Sequence, residues 1–84
     1  MPRYFLHLRD HVEEIRDPDG IEFADLETLK SAVVREARDV MCGDLRNGII
    51  DLRYRIDAEN AAGVMVYSLP FSAAVSVIPQ GARD

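Results

Sequence analysis

The stretch that decides the fold is ADLETLKSAVVREARDVMCGDLRNG, residues 24–48. Asp25 has the short acceptor side chain that caps a helix N-terminus, and Glu27 puts negative charge where the helix dipole favours it. Leu26, Leu29, Val33, Ala37, Val40, Met41 and Leu45 then recur at steps of three and four. That spacing draws one apolar stripe along more than five turns, with Lys30, Arg35, Glu36, Arg38 and Asp39 mostly opposite. Gly43 is a weak point inside the pattern, and Asn47-Gly48 is the natural stop. A long amphipathic helix with one apolar face requires a sheet or another helix to lie on.

Sheet patterns flank it on both sides. From Arg3 to Arg9, Tyr4, Leu6 and Leu8 alternate with Phe5, His7 and Arg9, as a strand with two different faces would. Asp10-His11 reads as a turn, and Val12–Asp17 as a second, more polar strand anchored by Ile15. Asp17-Pro18-Asp19-Gly20 has turn chemistry: Pro presets φ, Asp bonds the backbone ahead, Gly permits the exit. Ile21-Glu22-Phe23 is then a short connector. Beyond the helix, Ile50–Ala58 alternates, with Leu52, Tyr54 and Ile56 on one side and Arg53, Arg55 and Asp57 on the other. A loop at Glu59–Gly63 leads to a last strand, Val64–Leu69, ended by Pro70.

The expected fold is therefore α+β in the order β-β-α-β-β, a four-stranded antiparallel sheet with the long helix on one face. Residues 1–72 form the single domain. Residues 73–84 follow as a C-terminal segment, apolar through Ile78 (AAVSVI) and frayed after Pro79. One helix covers one face, so Phe5, Val64 and Val66 are expected on an uncovered side. Either the AAVSVI segment or a second copy would shield them.

Composition narrows the function classes. Eighty-four residues make one domain, and 48% hydrophobic with 30% charged residues is globular composition. The single Cys42 excludes an internal disulfide or a Cys-built zinc site and suits a reducing cytoplasm. Neither a membrane-length apolar run nor a signal-peptide core is present. A net charge of −5 opposes wholesale duplex DNA binding.

Met1-Pro2-Arg3-Tyr4-Phe5, Asp17-Pro18-Asp19-Gly20-Ile21-Glu22 before Asp25-Leu26-Glu27, and Ser68-Leu69-Pro70-Phe71-Ser72 together resemble a family of short alphaproteobacterial proteins classed as a domain of unknown function. The resemblance spans roughly residues 1–72 and implies a bacterial, cytosolic setting and this fold. His11-Val12 and Asn60-Ala61-Ala62 depart from the Gly- and Asp-rich turns of that pattern. It implies no catalytic or binding residues.

Candidate chemistry is thin. His7 and His11, with Asp10 between them, are two potential metal ligands where zinc needs three or four, so no metal and no cofactor is expected. Asp17, Asp19 and Glu22 resemble a calcium loop only superficially; Pro18 and the missing distal Glu break that pattern, and turn chemistry accounts for both aspartates. Cys42 sits late in the helix, the wrong end for an activated thiolate. No phosphate loop, nucleophile elbow or metalloprotease motif occurs, so no catalytic residue is expected.

The expectation is a non-catalytic, cytoplasmic protein-interaction module acting as a homodimer, with Phe5, His7, Arg53, Arg55, Val64 and Val66 as the candidate interface. Two alternatives use the same surfaces. Arg3, Phe5, His7, Arg9, Arg53 and Arg55 on an open sheet face could hold a single-stranded nucleic acid by stacking and phosphate contacts. An acidic domain of this size could also mask a basic partner as an antitoxin does.

Overall fold

The computed structural model describes residues 1–81; the last part of the expected frayed tail, residues 82–84, lies outside the described residues. Five strands and one long helix build it: β1 (Arg3–Arg9), β2 (Glu14–Ile15), β3 (Ile21–Glu22), α1 (Leu26–Arg46), β4 (Arg55–Asn60) and β5 (Met65–Pro70). A 3-10 turn, Phe71–Ala73, follows. The architecture is α+β, with α1 packed on an antiparallel sheet.

The helix begins and ends where its signals lie. Asp25 Oδ1 accepts the Thr28 N–H at 2.8 Å. At the other end the Asn47 and Gly48 N–H groups donate to the carbonyls of Asp44 and Leu45, each at 2.9 Å, and Gly48 takes the left-handed φ of +82°. Leu29, Val33, Ala37 and Met41, one per turn, form the buried line of α1. They meet Ile56 and Ala58 of β4, Leu69 of β5 and Phe71, which is wholly buried just beyond β5.

The sheet order is β2-β1-β4-β5, and β3 also pairs with β1. Since β4 occupies one edge of β1, β2 and β3 share the other and form one interrupted strand. Leu8 faces Ile15, and Tyr4 faces Ile21. The chain takes six steps between those two isoleucines while β1 takes four, so two residues' worth of chain bulges out as the Arg16–Gly20 loop. Turn chemistry at Asp17–Gly20 is thus real, but it does not reverse the chain. This corrects the expected connector: Ile21-Glu22 rejoins the sheet, and the expected Val12–Asp17 strand shrinks to Glu14–Ile15. The four-stranded expectation becomes five short strands on four positions.

The later hairpin is also shifted. Pairing of β4 starts at Arg55, opposite Arg9, where β1 ends. Ile50–Arg53 therefore has no neighbour to pair with, although its residues alternate, and Leu52 sits in an exposed turn.

Alternation assigns the faces. Tyr4, Leu6, Leu8, Ile15, Ile21, Ile56, Ala58 and Leu69 turn toward the α1 layer, and Phe5, His7, Arg9, Glu14, Asp57, Glu59 and Ser68 turn away from it. A helix is about 10 Å across and strands lie about 4.8 Å apart, so one helix spans roughly two strands. Here α1 packs on β4 and β5. Leu6, Leu8, Ile15, Ile21, Val40 and Ile56 consequently line a groove of about 340 Å³ between α1 and the β2/β3 edge.

Candidate interaction surface

The face turned away from α1 was expected to carry uncovered apolar groups. It carries instead a closed polar network. Asp57, 2% exposed, accepts from Ser68 Oγ at 2.6 Å, from an Arg9 guanidinium nitrogen at 3.0 Å and from Arg55 Nε at 3.1 Å. Arg9 also reaches Glu59 at 3.0 Å and Glu14 at 2.6 Å. The hydrogen bond to Asp57, opposed by burial and aided by Glu14 and Glu59, holds the Arg9 guanidinium even more firmly protonated than usual. Burial alone would push the Asp57 carboxyl up; bonds from Ser68, Arg9 and Arg55 outweigh it and hold the group below the usual carboxylate range.

His7 is equally buried, 2% exposed. Its Nδ1 accepts the Asp17 N–H at 3.0 Å, which places the ring proton on Nε2, 3.4 Å from Glu59. Asp17 answers with its own carboxylate: Oδ1 accepts from the N–H groups of Asp19 and Gly20, and Oδ2 from that of Leu6. Burial would raise Asp17, and those three main-chain donors, with His7, hold it low instead. A cleft of about 440 Å³ opens beside these groups, between Phe5, Arg16, Pro18, Glu59 and Asn60. Its buried polar atoms already have partners in the protein. Among the described residues no set of three or more His, Cys, Asp or Glu side chains gathers to hold a metal ion.

The six candidate interface residues do not form one patch. Phe5 is half-buried, stacked on His7 with ring centroids 6.5 Å apart. Arg55 is committed to Asp57 through Nε. Arg53 lies off the sheet, in the turn before β4. There Asp51 takes its Nε at 3.0 Å and its terminal nitrogen at 2.9 Å, and is pushed down to about 2 by that partnership. Val66 falls at the irregular point of the β4–β5 register and packs against the helix-side core. Val64 is exposed in the turn before β5. Nor does the AAVSVI segment shield the polar face: Ala74 and Val75 pack with the α1-side core, and Arg38 Nε holds the Ala74 carbonyl at 2.9 Å.

Each arginine on this side thus reaches a carboxylate, Arg3 that of Glu22 and the loop residue Arg16 that of Glu14, with Glu14 and Asp57 each shared with Arg9. Such a face offers little uncompensated positive charge to a phosphate backbone.

What stands out is a different surface. From Ala61 to Ala82 the chain has no charged side chain, although 30% of all residues are charged. This run contains β5 at the sheet edge and the segment after it. It leaves Val64, Met65, Val77 and Ile78 between 55% and 76% exposed. The signal was present in the sequence as a long gap between charges. Periodicity hides it, because a strand and a coil segment of like polarity share no period. The helix-side groove was not legible in that way, since it arises from where α1 sits across the sheet.

Comparison with known proteins places residues 3–72 within a family model described as a domain of unknown function, DUF6894. No curated protein and no solved structure matches the chain.

Proposed function

The chain belongs to the DUF6894 family, a domain of unknown function, and we propose from its surface that it is a non-catalytic protein-interaction module working as a homodimer in the bacterial cytosol. The observation that carries this is the uncharged run Ala61–Ala82 with its exposed Val64, Met65, Val77 and Ile78. Exposed apolar side chains along an uncharged run support contact with another macromolecule.

A copy of the same chain is the simplest partner, because closed two-fold association places one patch against itself. A cytosolic setting is consistent with the lone Cys42, and among the described residues no helix is long and apolar enough to cross a membrane.

Light scattering or sedimentation at high micromolar concentration tests this. A mass of two chains is expected, and a monomer across that range would overturn the homodimer.

A further inference from the structure

We propose that the two copies join edge to edge through β5, in an antiparallel pair with Ser68 on the two-fold axis, so that the two sheets become one. This rests on the homodimer proposed above and names its contact.

The hydrogen-bond phase of β5 supplies the geometry. The Phe71 N–H donates to the Tyr54 carbonyl at 3.0 Å, continuing the β4–β5 register in which Ile56 faces Leu69, Asp57 faces Ser68 and Ala58 faces Tyr67. Antiparallel pairs alternate between bonded and non-bonded, so Phe71, Leu69 and Tyr67 direct their main-chain groups to β4. Ser68 and Pro70 direct theirs outward, to the open edge. Pro70 is at home there, having no N–H to leave unpaired.

Soluble proteins defend such edges with charged side chains, bulges or proline. The β2/β3 edge is defended by Glu14, Glu22 and the Arg16–Gly20 loop. On β5 charge is missing altogether. Its two remaining defences, Pro70 and the irregularity around Val66, bracket Ser68 and limit pairing to the middle of the strand. That restriction fixes the register. Antiparallel pairing about Ser68 lets its N–H and C=O exchange two bonds with the same groups of the second copy, and brings exposed Met65 toward the end of the partner's β5. Other contacts fit less well. Insertion of a second α1 into the helix-side groove would bury Arg35, Arg38 and Asp39 from its outer side, a costly burial of charge.

The test is amide hydrogen exchange by NMR on the full chain across a dilution series, with Met65→Lys alongside. At a concentration where one chain in ten is monomeric, the Ser68 amide is expected to exchange about tenfold more slowly than in the monomer. Met65→Lys, at an exposed position, is expected to weaken the dimer with an unchanged far-ultraviolet spectrum. A dimer whose Ser68 amide exchanges at the monomer rate overturns the edge pairing while leaving the homodimer intact. So does a dimer that resists Met65→Lys yet dissociates with Val77→Lys plus Ile78→Lys, since the contact then lies on the C-terminal segment. A wild-type monomer overturns both.

Discussion

His7 and Asp17 hold each other across the edge of the sheet: the Asp17 main-chain N–H donates to the His7 ring at 3.0 Å, while the Asp17 carboxylate accepts the N–H of Leu6 at 3.3 Å. The ring and the carboxylate together bind the Arg16–Gly20 loop to β1. Without the loop His7 would lie open on the polar face; with it, His7 is buried.

Replacing His7 by Leu keeps the bulk and removes both ring nitrogens. The Asp17 N–H then loses its acceptor, and a buried donor left unmade costs about 1–3 kcal/mol. Urea unfolding of His7→Leu should show a loss in that range with an unchanged m-value. His7→Gln, which can present an acceptor near the same place, should recover part of it. Equal losses in the two variants would mean that packing, not the hydrogen bond, is what His7 supplies.

Acid should unfold the protein through Asp17 and Asp57. Both carboxyls are held below the ordinary carboxylate range in the folded chain. A lowered folded-state value means that the stabilisation is fully present above the unfolded value, near pH 4, and is lost as pH falls through the folded one. Stability measured from pH 6 down to pH 2 should therefore fall chiefly below pH 4. Asp57→Asn should be less stable at pH 6, because Arg9 keeps its charge with one anionic partner fewer. It should also show a shallower decline on acidification. A variant with the wild-type slope would remove Asp57 from the acid response.

Tyr54 offers an optical check at the opposite end of the scale. Its hydroxyl donates to Glu13 at 2.8 Å, and that bond, with a smaller contribution from burial, pushes the phenol up to about 12. The raised value favours the neutral phenol in the folded state, so the contact is present below the ordinary tyrosine value and is lost as pH rises toward 12. Ultraviolet titration should show one of the three tyrosines ionising later than the others. Glu13→Gln should bring it back toward its companions. An unaltered titration curve in that variant would show that Glu13 does not hold the phenol.

These contacts mark where the sequence was readable and where it was not. The helix from Leu26 to Arg46 and the strand from Arg3 to Arg9 were legible to the residue, because caps and periodicity are local properties. Asp17–Gly20 was legible as turn geometry but not as a bulge, since turn residues set local dihedrals without revealing whether the chain returns to the same neighbour. Ile50–Arg53 alternates like a strand, yet β1 ends at Arg9 and leaves it nothing to pair with. The buried charges of the polar face were legible only in part. Pairing of the sheet arginines with Asp57 and Glu14 is one reading of the sequence beside solvated arginines, whereas the burial of His7 and the part Glu59 takes follow only from the β1–β4 register.

Two glycines should respond in opposite directions to the same substitution. Gly20 sits at φ +72°, and a Cβ there would come within 2.8 Å of the Tyr4 carbonyl oxygen and 2.9 Å of the Phe5 ring. Both the backbone and the space forbid alanine, so Gly20→Ala should cost more than about 1 kcal/mol and loosen the loop that His7 anchors. Gly43 lies in the last turns of α1, with nothing within 4 Å of the position a Cβ would take. Gly43→Ala should therefore stabilise the chain by about 0.5–1 kcal/mol through helix propensity alone. Thermal unfolding of the two variants against the parent decides it. A stabilised Gly20→Ala would mean that the loop does not hold its left-handed turn in solution, and with it would fall the account of how His7 comes to be buried.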